Sequence, residues 1–192
     1  YTLDDVADSL AATLDRYRAP RVAVCGLSMG GYIAFAMLRR HPERISRLVL
    51  ADTRASADTE QARAGRETNA QLAETSGSAA VADKMLPALL SPGAPPALVA
   101  HLRALIADNA PRGIALALRA MARRPDSSDL LGAIAAPTLV IVGADDALTP
   151  PDEARRMQEA IPGSQLVVIP GAGHIANMEQ PEAFSQALSE FL

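Results

Sequence analysis

The sequence predicts an α/β fold in which helices flank a parallel sheet. Short apolar, β-branched runs alternate along the chain with patterns typical of amphipathic helices. The runs are continuously apolar, as expected of strands buried on both faces of a sheet. Strands that alternate with helices are joined by crossover connections, and such connections make neighbouring strands parallel.

The first quarter of the chain contains two of the predicted strands. Residues 2–17 have apolar side chains on one helical face, and Thr2 and Asp5 form a capping-box pattern. Pro42 disfavours helical geometry at the residue before it and ends the second helix near His41. The predicted elements are a helix over 2–17, a strand over 21–27, a helix over 32–40 and a strand over 47–51.

The middle of the chain predicts helices and no strand, and strands return near the end. We therefore expect three parts: residues 1–53 and 136–192 form the sheet domain, and residues 54–135 form a helical insertion. The helices of the insertion are predicted at 59–75, 78–90, 95–108, 112–123 and 127–133. The last part is predicted to hold strands over 138–142 and 165–169 and helices over 151–161 and 181–192.

Composition excludes several functional classes. The 192 residues carry a net charge of −4, with 49% hydrophobic and 21% charged residues, so the chain is neither disordered nor a basic nucleic-acid binder. No apolar run reaches the length of a membrane span, so we expect no membrane partner. The single cysteine, Cys25, excludes an internal disulfide and a multi-cysteine metal site, and it favours a cytoplasmic location. We expect its thiol to be buried and inert.

The first candidate for catalysis is Ser28, in the sequence GLSMG that directly follows the first strand. A G-x-S-x-G sequence at this place raises a serine hydroxyl on a sharp turn at the N-terminus of a helix. The backbone N–H of Met29 would then face the oxyanion that forms when the hydroxyl attacks a carbonyl carbon. The alternative is a glycine-rich turn in which the serine only caps the helix.

An acid and a base follow the third and fourth predicted strands. Asp145 and Asp146 come after the third strand, and His174 comes after the fourth. A histidine can take the proton of a serine hydroxyl, and a carboxylate can hold the imidazole in the required tautomer. The order Ser, Asp, His along the chain matches one of the known arrangements of such a triad. The residues alone leave the choice between Asp145 and Asp146 open.

Three segments carry a resemblance to the α/β-hydrolase superfamily: VAVCGLSMGGYIAF, LVIVGADDALTPP and PGAGHIANMEQPEAF. The resemblance spans the whole chain and is strongest to small bacterial esterases, including 3-oxoadipate enol-lactonases. It implies that Asp146 is the acid and that residues 54–135 form a cap over the active site. It also implies a small acyl substrate and no metal ion or organic cofactor.

The chain departs from the superfamily in its number of strands. Members have about eight strands, whereas this sequence predicts four. The half that usually supplies a second oxyanion donor is absent, and the strand over 21–27 would expose an edge. We therefore expect a C-terminal portion of a longer protein, inactive or poorly soluble alone. The missing N-terminal half, or a second copy in a homo-oligomer, would cover that edge.

Arg54 is a candidate for binding substrate, because it follows the second strand where the insertion begins. Its guanidinium group could bind a substrate carboxylate, or it could form an ion pair with Asp52 or Asp58. The leading hypothesis is a serine hydrolase that cleaves a small ester, thioester or lactone. The alternatives are a binding module without catalysis and C–C bond hydrolysis or perhydrolysis on the same triad.

Overall fold

The computed structural model describes residues 1–192 and contains four strands and nine α-helices. In chain order the elements are α1 (Leu3–Arg16), β1 (Val22–Leu27), α2 (Met29–Arg40), β2 (Ile45–Ala51), α3 (Glu60–Ser76), α4 (Ser78–Leu89), α5 (Pro96–Ala107), α6 (Pro111–Ala122), β3 (Thr138–Gly143), α7 (Pro151–Ala160), β4 (Gln165–Ile169), α8 (Ala176–Glu179) and α9 (Pro181–Phe191). Two short 3-10 helices lie at Pro42–Arg44 and Ser128–Ala133.

The four strands form one parallel sheet in the order β1-β2-β3-β4, which confirms the predicted fold class. The register pairs Leu27 with Ala51 and Ala51 with Ile141, and it pairs Gly143 with Ile169. The carboxyl ends of all four strands therefore meet at one edge of the sheet. Loops that follow different strands are brought together at that edge, although they are far apart in the chain.

Alternate residues of the two central strands point to opposite faces of the sheet. Leu48, Leu50 and Val140 belong to one apolar cluster, which includes residues of α1, α2 and α7. Their neighbours Val49 and Ile141 belong to a second cluster, which includes residues of α9. Both faces are covered by helices, so continuous apolar runs are needed in β2 and β3.

The prediction that the first strand is buried on both faces was wrong. Ala23 and Cys25 of β1 are exposed, and so the expectation of a buried thiol at Cys25 was also wrong. The reason is that the apolar cluster with α9 covers β2, β3 and β4 but includes only Leu27 of β1, which lies at the end of the strand order. An apolar run identifies a strand, but it does not show whether helices cover both of its faces.

Between β2 and β3 the chain is helical, as the sequence predicted, and these helices have apolar clusters of their own. One cluster joins α3, α4 and α6, and another joins α4 with α5. The segment predicted as a helix over 127–133 is a 3-10 helix, and α8 was not predicted. No helix combines the length and the apolar character that crossing a membrane requires.

The central strands provide a test of where stability resides. Val140 of β3 is 0% exposed, whereas Val168 of β4 is 36% exposed. We expect Val140→Ala to lower the free energy of unfolding by about 2 kcal/mol, because it removes buried methyl groups and leaves a cavity. Val168→Ala removes the same atoms from an exposed position and should cost less than about 1 kcal/mol. Equal losses in urea unfolding would contradict this account of the core.

Candidate active site

Ser28 lies in a strained turn between β1 and α2. Its φ angle is 52° and its ψ angle is −112°, a conformation that non-glycine residues rarely adopt. Ser28 N–H donates to Ala51 O at 2.9 Å, and Thr53 Oγ1 donates to Ser28 O at 2.8 Å. The hydroxyl does not cap the helix, which argues against the simpler interpretation of this serine. The end of β2 therefore holds the strained backbone that presents Ser28.

Two glycines allow this turn to pack tightly. A side chain at Gly26 would overlap the backbone of Gly30 and Gly31, and one at Gly31 would overlap Thr53. At Gly26, strand β1 and helix α2 therefore pass each other at a distance that admits only hydrogen, and at Gly31 helix α2 lies equally close to Thr53. Gly30 has open space around its Cα atom, so its place in the sequence motif does not reflect crowding. Helix α2 begins at Met29, earlier than predicted, and includes Gly30 and Gly31.

Ser28, His174 and Asp146 form a continuous hydrogen-bonded chain. The distance from Ser28 Oγ to His174 Nε2 is 2.7 Å, and the distance from His174 Nδ1 to Asp146 Oδ2 is 2.9 Å. An imidazole that carries its proton on Nδ1 donates to the carboxylate and accepts from the serine hydroxyl at Nε2. His174 and Asp146 are buried, with side chains 4% and 0% exposed. The structure thus brings together three residues from three different strand ends.

Asp146, and not Asp145, contacts the histidine. Its Oδ1 accepts from the N–H groups of Leu148 and Thr149 at 2.8 and 2.9 Å, and its Oδ2 accepts from Thr149 Oγ1 at 2.6 Å. Burial opposes ionisation, but the hydrogen bonds from His174 and Thr149 hold the pKa of Asp146 below its ordinary value. Asp145 is exposed and makes its backbone hydrogen bond to Ala172 O. Asp146 is therefore an ionised acceptor fixed in orientation.

The backbone N–H of Met29 lies at the first position of α2, directly after Ser28. The first N–H groups of a helix lack acceptors within the helix, and the helix dipole adds a partial positive charge there. This place suits an oxygen that becomes negative beside the serine. Met29 and Ser28 line the same cavity.

A cavity of about 330 Å³ opens in front of Ser28 and His174. Most of its other walls come from α3, α4 and α6, which lie in the helical insertion. The residues of the sheet domain that line it are Ser28, Met29, Tyr32, Leu148, Thr149 and His174. Those of the insertion are Arg54, Ala62, Gly65, Arg66, Asn69, Met85, Leu89, Leu118 and Met121.

Arg54 forms the ion pair that the sequence offered as one interpretation, and its binding of a substrate carboxylate stays a prediction. Its Nη2 contacts Asp58 Oδ1 at 2.9 Å, so the ion pair forms with Asp58 and not with Asp52. The same side chain lines the cavity in front of Ser28. The chain has no cluster of three or more His, Cys, Asp or Glu side chains arranged to hold a metal ion.

Comparison with known proteins identifies the family. Residues 1–181 match the family model described as alpha/beta hydrolase fold. The chain belongs to the α/β-hydrolase family. It is therefore a hydrolase, and its relatives include proteins named as esterases and enol-lactonases.

Three relatives show the extent of the likeness. A curated relative, 3-oxoadipate enol-lactonase 2 of Acinetobacter baylyi, is 32% identical over 191 residues, which is 98% of this chain and 70% of the relative. A thermophilic esterase of Thermogutta terrifontis is 41% identical with a TM-score of 0.95, covering 99% of this chain and 71% of that one. The enol-lactonase of Burkholderia xenovorans LB400 is 30% identical with a TM-score of 0.90, covering 100% and 73%.

Sequence reasoning missed several polar residues around the site of this α/β hydrolase. Thr149 bonds Asp146 and also lies 3.3 Å from His174 Nδ1, so it steadies both groups. The only signal was a threonine three residues after the aspartate. Glu179 bridges two segments: its Oε1 accepts from Gly173 N–H at 2.6 Å and its Oε2 from Ser91 N–H at 2.8 Å. It ties the loop that carries His174 to the segment after α4.

Asp52 was considered in the sequence only as a partner for Arg54, and the structure gives it a different environment. Its side chain is fully buried at the end of β2, where Oδ1 accepts from Gly143 N–H at 2.8 Å and Oδ2 has no partner. Burial, with a smaller contribution from the nearby charge of Asp146, raises the pKa of Asp52 to about 7, although the hydrogen bond from Gly143 acts in the opposite direction. This carboxyl group therefore gains or loses its proton near neutral pH.

The raised pKa of Asp52 predicts a pH-dependent stability. Between pH 4 and pH 7 the folded protein holds a proton on Asp52 that the unfolded chain has released, so unfolding becomes easier as pH rises. Asp52→Asn removes this titration and keeps an acceptor for Gly143 N–H, and asparagine tolerates the positive φ of 44°. Relative to wild type, we expect the free energy of unfolding of Asp52→Asn to rise by up to about 4 kcal/mol between pH 4 and pH 8.

Urea unfolding of both proteins at several pH values measures this shift. Asp145→Asn, at an exposed position, is the control and should leave the pH profile as it is. Parallel profiles for wild type and Asp52→Asn would show that Asp52 keeps an ordinary pKa.

Proposed function

We propose that this α/β hydrolase cleaves a small carboxylic ester, thioester or lactone through an acyl-enzyme intermediate on Ser28. The observation that carries the proposal is the hydrogen-bonded chain from Ser28 through His174 to Asp146, with distances of 2.7 and 2.9 Å. The names of the relatives support the substrate class, because they include esterases and enol-lactonases.

In the first half of the reaction, Ser28 Oγ attacks the acyl carbon and its proton passes to His174 Nε2. The carbonyl oxygen becomes an oxyanion, which the N–H of Met29 stabilises. Asp146 orients the imidazole and stabilises its protonated form. When the tetrahedral intermediate collapses, the bond to the leaving oxygen or sulfur breaks and His174 gives its proton to that atom.

In the second half, water replaces the leaving group. His174 Nε2 takes a proton from the water molecule while the oxygen of that water attacks the acyl carbon. The second tetrahedral intermediate collapses, Ser28 Oγ leaves and recovers its proton from His174, and the carboxylic acid is released. All of these proton transfers use side chains of this chain.

We also propose that residues 54–135 act as a cap that shapes the substrate site over the sheet domain formed by 1–53 and 136–192. Nine of the fifteen residues that line the cavity belong to that range. The small acyl substrate is the partner we expect at this cavity, and its selectivity would depend on the cap.

Ser28→Ala tests the nucleophile. We expect kcat for a short-chain 4-nitrophenyl ester to fall by at least about 10⁴-fold, because no other group can form the acyl-enzyme. A fluorophosphonate probe should label wild type at Ser28, as mass spectrometry of peptides would show. Labelling elsewhere, or equal turnover by the alanine variant, would refute the mechanism. Ligand binding without turnover in both proteins would favour the non-catalytic alternative.

The paired aspartates provide a matched test of the acid. Asp146→Asn keeps the shape of the side chain but no longer fixes the tautomer of His174, and we expect kcat to fall by about 10⁴-fold. Asp145→Asn changes an exposed neighbour and should leave kcat within about twofold of wild type. Steady-state rates on the same ester measure both, and a loss confined to the Asp145 variant would reverse the assignment.

A further inference from the structure

The charges around Asp58 are unbalanced. Its side chain is 0% exposed and contacts three arginines, through Arg54 Nη2 at 2.9 Å, through Arg124 Nη1 at 2.8 Å and through Arg66 Nε. Burial opposes ionisation, but hydrogen bonds from Arg66 and Arg124 lower the pKa of Asp58 to about 2. One negative charge therefore faces three positive charges at neutral pH.

This arrangement is unlike the other ion pairs of the protein. Arg119, for example, contacts two carboxylates, Glu67 and Glu74, at 2.9 and 2.6 Å. In the Asp58 cluster the excess is of the opposite sign and amounts to two positive charges. Arg124 is 3% exposed and stacks over the ring of Tyr32 at 3.9 Å, so its positive charge is shielded from solvent.

The other two arginines bring positive charge to the cavity that contains the proposed nucleophile. Arg54 and Arg66 line the same cavity as Ser28 and His174, and no aspartate or glutamate lines it. They are largely removed from water, with side chains 23% and 19% exposed. Charges in such surroundings interact more strongly with an anion than charges in bulk water.

Arg54 also has a donor without an acceptor. Its Nε is buried and makes no hydrogen bond. A buried donor left unpaired is costly, and a planar guanidinium group pairs well with the two oxygens of a carboxylate. Asp58 therefore does not satisfy the whole guanidinium group of Arg54, whose side chain lines the cavity.

We propose that the substrate carries a free carboxylate in addition to the acyl group that is cleaved, and that Arg54 and Arg66 bind this carboxylate. The preferred substrates are then monoesters or lactones of dicarboxylic acids. This proposal rests on the proposed function of Ser28, because it places the carboxylate in the same cavity as the scissile bond.

Two esters of matched size test the proposal: the 4-nitrophenyl ester of glutaric acid and that of glutaramic acid, which replaces the carboxylate by a neutral amide. We expect kcat/KM of wild type to be about tenfold or more higher for the glutarate ester.

Arg54→Met should lower the ratio of the two kcat/KM values by about ten- to hundredfold, and Arg54→Lys should lower it less. Arg103→Gln, in an exposed pair with Asp83, should keep the wild-type ratio. A wild-type ratio near one, or the same ratio in Arg54→Met, would overturn the proposal.

A binding measurement separates this proposal from the proposed function. Glutarate should raise the thermal unfolding midpoint of wild type, whereas its neutral diamide, glutaramide, should not, and Arg54→Met should reduce the glutarate effect. If neither ester is hydrolysed but glutarate still stabilises the protein through Arg54, the proposed hydrolysis is refuted and the carboxylate site is supported. If the neutral ester is cleaved with dependence on Ser28 and glutarate has no effect, the carboxylate site alone is refuted. Should Arg54→Met not fold, the wild-type ratio and the glutarate shift still decide the question.

Discussion

The pairing of four parallel strands in chain order is the constraint on which the rest of the structure depends. Because β2 pairs with β1 and β3, and β3 pairs with β4, the loops after these strands lie side by side at one edge. The hydrogen bond between Ser28 and His174 joins residues 146 positions apart, and it forms because their strands end at the same edge. Loss of this register would separate the groups even if every local turn were kept.

The backbone around the site is held by a small set of polar contacts that cross between strand ends. Thr53 and Ala51 hold the strained turn at Ser28, and Asp52 reaches across to Gly143 at the end of β3. Glu179 then links the His174 loop to the helical insertion. Such contacts are costly to bury unless each group has a partner, so they fix one arrangement of the loops. Asp52 is an exception, because one of its oxygens has no partner, and burial raises its pKa.

The helical insertion and the sheet domain make different contributions to the cavity. The sheet domain supplies the hydroxyl, the imidazole and the N–H of Met29, whereas the insertion supplies most apolar walls and both of the lining arginines. The proposed function therefore assigns chemistry to the sheet domain and selectivity to the helical insertion. A change in α3 or α6 could alter which substrate is accepted while the hydrogen-bonded chain at Ser28 remains in place.

The sequence by itself determined the α/β class, the parallel sheet of four strands, the helical insertion, and Ser28, His174 and a pair of aspartates at strand ends, whereas only the resemblance favoured Asp146 over Asp145. Local periodicity and the glycines around Ser28 are visible in neighbouring residues of the sequence. The rule that parallel strands end at the same edge then brings the residues after those strands together. Only the tertiary structure decided that Cys25 is exposed, that Asp52 is buried without a full set of partners and that three arginines surround Asp58. Burial and charge balance depend on contacts such as that between Arg124 and Asp58, which are 66 positions apart and leave no periodic pattern in the chain.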